Sequence, residues 1–432
     1  MWQCWLAVWP LLLPGIPLQN EPQSILTDAA PERTYTVGAK PAAIVARDLD
    51  GDGVLDLVVA NRGEAPTEEG GEVGHTVSVL LGAPDGSYAA AQDYEVGAGP
   101  SALCVGDFDA DGRADVAVAC CYATDGRDLA LLRGKGDGTF APATHFAVDD
   151  PSLQYAREPG LTALAAADVN EDGWTDLVAV GWTGGLVTVF LGDGRGGFGQ
   201  QHTTRGLPVG PCDVAAADLD GDDHVDLVIA HHTAQRISLW RGDGTGRFQP
   251  VSQVPVPGPG PCKLEVGDVD ADGHTDIVVG LRGPAEGVAL LRGSGGLALR
   301  SAVLVSIQPE GNESVAEPQV RDVRLVDLDG DGLLDLAAAA FGGGFVSVLR
   351  GLEPTANGRP FAPPECHALT DRGPRALADG DLNRDGRADL AVACWSDGSV
   401  ALLLASSPPG FEGFPHPKGP GRHEGLEELP GL

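Results

Sequence analysis

Short apolar runs recur along the chain in one fixed order. After Pro41, apolar side chains alternate at Ile44 and Ala46, the period of a half-buried strand. Leu57-Val-Val-Ala60 follows, a run short enough to be a strand buried on both faces, and then Val77-Ser-Val-Leu-Leu81. A glycine-rich turn and a fourth extended segment complete the unit. The order returns after Pro100, with Leu103 and Val105 alternating, VAVA after Asp115, LALLR, and the turn GKGDGTF. Pro211, Pro261 and Pro374 open further units of the same kind. The pattern predicts four strands per unit and an all-β chain.

Between the first and second strands of every unit stands one ten-residue pattern. It reads DLDGDGVLDL at Asp48, DFDADGRADV at Asp107, DVNEDGWTDL at Asp168, DLDGDDHVDL at Asp218, DVDADGHTDI at Asp268, DLDGDGLLDL at Asp327 and DLNRDGRADL at Asp381. Seven four-stranded units, their loops 50 to 61 residues apart, predict a seven-bladed β-propeller over residues 33–405. The ring must close, because an open end leaves an unpaired strand edge. The segment RTYTVGAKP resembles DYEVGAGP, which precedes the second unit, while the last unit ends at VALLL without a fourth strand. The strand Thr34 to Val37 is therefore expected to complete the seventh blade.

Composition agrees: 62 glycines and 33 prolines with few aromatics suit short strands and tight turns. The formal net charge of −34 repels polyanions, so nucleic acid is excluded as a partner. Residues 1–19 carry an apolar run of signal-peptide length, too short to span a bilayer, which places the protein outside the cytoplasm, secreted or periplasmic. Residues 406–432, rich in proline and glycine, read as a flexible tail. Removal of the first segment leaves Cys104, Cys120, Cys121, Cys212, Cys262, Cys366 and Cys394. No CxxC pair occurs among them, so a zinc site or redox dithiol is unsupported; most read as buried thiols in apolar strands.

Each aspartate loop offers side-chain oxygens at positions 1, 3, 5 and 9 and a freely varying position 7, and all but the fourth have a glycine at position 6. Alternating carboxylates, a residue that permits a sharp bend and one backbone carbonyl are what a six-to-eight-coordinate hard cation requires. An EF-hand begins alike but needs a glutamate at position 12, where an aliphatic side chain stands in every loop, Val59 in the first. The DxDxDGxxD loops and LLxGxGDGxF turns at this spacing resemble the FG-GAP or VCBS repeats of integrin α-subunit propellers and many secreted proteins.

That resemblance implies bound calcium, up to seven ions. The implied ligands are Asp48, Asp50, Asp52 and Asp56 in the first loop, and Asp107, Asp109, Asp111 and Asp115 in the second. Asp168, Asn170, Asp172 and Asp176 follow in the third, Asp218, Asp220, Asp222 and Asp226 in the fourth, and Asp268, Asp270, Asp272 and Asp276 in the fifth. Asp327, Asp329, Asp331 and Asp335 serve the sixth, and Asp381, Asn383, Asp385 and Asp389 the seventh. The fourth loop carries Asp223 in place of the glycine, so its ion is expected to be held most weakly.

Fourteen residues after each first aspartate, where the second strand ends on the other face, stand Arg62, Cys121, Trp182, His232, Arg282, Phe341 and Trp395. Aromatics and cations there suit stacking on sugar rings or gripping a protein. Insertions at Asn61 to His75 and Ile307 to Pro318, the latter with the sequon Asn312-Glu-Ser, are further candidates. Arg241-Gly242-Asp243 lies in a repeated glycine turn, which explains it without a partner. No G-x-S-x-G, P-loop or HExxH motif is present. The expected function is thus a non-enzymatic protein- or glycan-binding scaffold, with a calcium-dependent polysaccharide lyase, using a base such as His232, as the alternative.

Overall fold

A computed structural model of the chain describes residues 24–27, 33–66, 71–123, 126–149, 160–182, 184–283, 287–308, 318–353 and 359–405. The expected signal segment, the tail, the sequon and the middles of two insertions lie outside these residues. The first blade is a meander of β2 (Pro41–Arg47), β3 (Asp56–Gly63), β4 (Val73–Leu80) and β5 (Gln92–Glu95), each antiparallel to the next. Five more four-stranded meanders follow, opened by β6 (Pro100–Gly106), β10 (Leu161–Ala167), β14 (Pro211–Ala217), β18 (Pro261–Gly267) and β22 (Val320–Val326). The seventh blade comprises β26 (Pro374–Gly380), β27 (Asp389–Cys394), β28 (Ser399–Leu403) and the distant β1 (Thr34–Thr36).

Closure therefore follows the sequence expectation. Thr34 pairs with Ala401 and Thr36 with Ser399, and Val37 N–H donates to the Gly398 carbonyl. Farther out, Leu26 bridges to Ala405. The opening strands of neighbouring blades lie side by side, and β26 returns to β2, so these seven strands surround the axis.

The second strand of each blade is buried along its length, Arg62 of the first blade alone being half-buried, and its alternate residues serve two different cores. Leu57 and Val59 join a cluster with Ala391 and Val400 of the seventh blade, whereas Val58 and Ala60 join one with Val116 and Val118 of the second. Seven such cores result, one per blade interface. Period-two side-chain direction is what allows an apolar run such as LVVA to feed both sides of a blade.

The segment expected as a loop from Asn61 to His75 is partly strand. β3 continues to Gly63 and β4 starts at Val73, with Gly63 opposite Val73. Polar composition concealed this extension, which lies at the rim beyond the apolar pattern. All seven described cysteines are free thiols, Cys366 alone being exposed. No helix among the described residues is long and apolar enough to cross a membrane.

Candidate functional site

In the aspartate loops, positions 1 and 9 are held by the backbone. Asp48 at position 1 accepts the N–H groups of Gly51 (2.7 Å) and Gly53 (3.0 Å). Asp56 at position 9 is buried and accepts the N–H of Leu49 (2.9 Å) and, from the turn after the third strand, that of Gly82 (2.8 Å). The same pair of hydrogen bonds recurs in every blade down to Asp389, which accepts from Leu382 and Ala405. Each position-9 aspartate thus ties loop, second strand and outer turn together. Burial above all, and the neighbouring loop carboxylates, push the carboxyls of Asp56, Asp115, Asp176, Asp276 and Asp335 up to about 6.

Three of the four expected ligand positions converge. Carboxylate oxygens of positions 1, 3 and 9 lie within 4.8 Å of one another in five loops: Asp48, Asp50 and Asp56; Asp107, Asp109 and Asp115; Asp218, Asp220 and Asp226; Asp268, Asp270 and Asp276; Asp327, Asp329 and Asp335. Position 5 differs, since one oxygen of Asp52 accepts the N–H of Val54 within its own loop at 2.7 Å. In the third and seventh loops Asn170 and Asn383 stand at position 3, and their amides donate to Asp172 and Asp385.

The donor set fits a hard cation on a specific observation. At position 3, Asp109, Asp220 and Asp270 each carry a buried Oδ1 with no hydrogen-bond partner. An anionic oxygen left in that state is costly unless a cation faces it. The loops are not equivalent, however. Arg241 pairs with Asp220, Arg292 Nε lies 3.2 Å from Asp270, and an Arg350 nitrogen lies 3.7 Å from Asp329. The corresponding residue is Leu81 in the first blade. The fourth loop keeps its geometry despite Asp223, which takes the left-handed conformation (φ 68°) that glycine adopts elsewhere.

The opposite face is built on a bulge. In every opening strand the register shifts after the first residue, as between Pro41 and Ala43, so the second residue stands out of the ladder. In four consecutive blades that residue reaches the next blade's carbonyl: Ser101 to Leu161 (3.0 Å), Thr162 to Pro211 (3.3 Å), Cys212 to Pro261 (3.1 Å) and Cys262 to Val320 (2.9 Å). The series stops at Arg321 and Arg375, which occupy the equivalent bulges of the sixth and seventh blades.

These arginines meet the residues expected at the second-strand ends. Arg62, Cys121, Trp182 and Arg282 line a cavity of about 400 Å³ at this end of the axis, together with Arg321 and Arg375. His232, Phe341 and Trp395 stand behind them. His232 lies 5.4 Å from the Trp182 ring, Phe341 lies 5.0 Å beneath the Arg321 guanidinium, and Trp395 lies 4.3 Å from that of Arg375. Sequence reasoning missed Arg321 and Arg375. The signal was two arginines in a column otherwise filled by small side chains.

Deeper in the axis, charges are matched. Lys263 meets Asp213 at 3.1 Å, and Arg324 meets Glu265, Asp322 and Asp379. Asp213 and Asp322 also accept the N–H groups of Leu264 and Leu377 in the next blades. His232 is held neutral, its imidazole pushed down to about 4 by burial and then by Arg282 and Arg321.

A family model described as FG-GAP-like repeat matches residues 48–118, 107–179, 168–229, 218–279 and 327–392. Among curated proteins none matches the sequence significantly. Solved structures similar to the chain include BBS1N in complex with ARL6DN (TM-score 0.57, 14% identity, covering 89% of this chain and 98% of that one). A lectin of Agrocybe aegerita, described as recognising non-reducing terminal N-acetylglucosamine, matches at TM-score 0.52 and 19% identity, covering 85% and 86%. The periplasmic gluconolactonase of Pseudomonas aeruginosa matches at 0.52 and 16%, covering 76% and 88%. At these identities the likeness concerns the fold.

Proposed function

The chain belongs to the FG-GAP-like repeat family, and from that premise we propose that it acts outside the cytoplasm as a calcium-held propeller binding a glycan or protein opposite its aspartate loops. The observation that carries this reading is the division of labour between the two faces. On one face the aspartates are engaged in tying each blade to its own loop and turn. On the other, aromatic and cationic side chains rim a cavity of about 400 Å³, within the range of small-ligand sites, about 300–1,000 Å³.

Calcium, when bound, supplies positive charge among carboxylates that otherwise repel one another. Positions 1, 3 and 9 of the five convergent loops would hold it, and the asparagine-bearing third and seventh loops offer one carboxylate fewer. Arg241 beside Asp220 adds to Asp223 as a reason for the fourth loop to bind most weakly.

Binding is favoured over the lyase alternative by the state of His232. An imidazole pushed down to about 4 is a poor proton acceptor for abstraction from a sugar carbon. The propeller fold itself serves a lectin and a gluconolactonase among its neighbours, so fold does not decide the question. A glycan and polysaccharide array in calcium-containing buffer, read for retained protein and for unsaturated products, tests the reading. Retention that is lost in Trp182→Ala without product formation is the expected result. Product formation, or retention indifferent to Trp182, contradicts it.

A further inference from the structure

Four arginines gather at the cavity mouth from one contiguous arc of the ring: Arg282 of the fifth blade, Arg321 of the sixth, Arg375 of the seventh and Arg62 of the first. Each has a buried Nε with no hydrogen-bond partner. Among the described residues none of the four lies within ion-pair distance of a carboxylate. What contacts they do make leave the charge unanswered. Arg62 donates to the Tyr122 hydroxyl at 2.6 Å, Arg321 to Gln319 Oε1 at 3.3 Å, and Arg375 rests on Trp395.

The contrast with the deeper channel is informative. There every lysine or arginine lining the cavity faces an acidic partner, in a protein with acidic residues in large excess. At the mouth the excess is absent, and the like charges crowd one another. Arg375 is driven well below the ordinary arginine range by burial and then by Arg62, Arg282 and Arg321, and Arg321 is pushed down to about 10 by burial and by Arg282. Guanidinium groups in that position gain most from a shared oxyanion, which can accept from several N–H groups at once.

The rest of the rim narrows the ligand further. Facing the arginines across the mouth, Trp182 of the third blade lines the cavity with His232 behind it, a flat apolar surface of the kind on which sugar rings stack. The protein's net charge of −34 disfavours long polyanions but costs a single negative group little. Resting on the reading of this face as the ligand face, we infer that the cavity takes an acidic saccharide residue, its carboxylate or sulfate on Arg62, Arg282, Arg321 and Arg375 and its ring against Trp182.

Calorimetric titration of the calcium-loaded full chain with methyl glucuronide, methyl glucoside and inorganic sulfate at low ionic strength tests this. The glucuronide is expected to bind at least tenfold more tightly than the glucoside, and at least tenfold more tightly to the parent than to Arg282→Met. Arg282→Lys, which keeps the charge without the planar fork, is expected to fall between them and serves if the methionine variant does not fold. Equal binding of glucuronide and glucoside, or indifference to both substitutions, overturns the inference. Binding of sulfate without glucuronide overturns the saccharide assignment. Neutral glycans retained on the array through Trp182, with no acidic preference, would overturn the inference while leaving the glycan-binding face intact; an empty array together with no glucuronide binding would overturn both.

Discussion

His231 ends the second strand of the fourth blade in full burial, where its neighbours specify its protonation. Its Nδ1 faces the Pro208 carbonyl at 3.0 Å and its Nε2 faces the Ser238 hydroxyl at 2.7 Å, which also accepts from Trp240 Nε1. Nδ1 therefore donates to the carbonyl, and Nε2 of the neutral ring accepts from serine. Burial pushes this imidazole down to about 4. Because the unfolded chain takes up the proton near pH 6.5 and the folded chain does not, His231 contributes stability that is complete above pH 6.5 and lost as pH falls toward 4. The loss at pH 5 is on the order of 2 kcal/mol. Replacing His231 by Gln should remove that increment: the difference in urea midpoint between parent and variant should shrink between pH 7.5 and pH 5. An unchanged difference would place the acid sensitivity elsewhere.

At the scale of the loops, one residue grades seven otherwise similar elements. Arginine stands before the outer turn in the fifth blade as Arg292, where the first blade has Leu81, and its guanidinium reaches the position-3 carboxylate. A fixed charge at that distance opposes a divalent ion by on the order of 1–3 kcal/mol. Arg292→Leu should accordingly raise the calcium affinity of the fifth loop about tenfold or more, measured by calorimetric titration against the parent; an unchanged or weaker isotherm would show that the arginine does not compete. This grading was not legible in the sequence, because the arginine lies outside the DxDxDG pattern and meets it only when the blade folds. The strands themselves were legible, since runs such as Leu57 to Ala60 are buried on both faces and nothing polar interrupts them. The rim was half legible. Arg62, Trp182 and Arg282 sit at a fixed offset from each loop, whereas Arg321 and Arg375 stand out only when the bulge positions of the seven blades are set in one column.

For the whole molecule, seven separate cores replace one central core, so every blade depends on two neighbours and the ring on all seven. Carboxylates concentrated on one face oppose that closure unless neutralised, and ions that bind only the folded ring stabilise it by mass action. Removing calcium with a chelator should lower the melting temperature by several degrees, since one kcal/mol moves a domain of this size by about 1 °C and several ions act together; an unchanged melting curve would contradict the calcium reading. Closure also has an order in time. β1 leaves the ribosome early, yet its partner residues Ser399 to Ala401 are made about 365 residues later. At about 5–20 residues per second the interval between them is roughly 20–70 s. Throughout that wait β1 has no strand to meet it, and the nascent chain must be kept from pairing with another copy of itself.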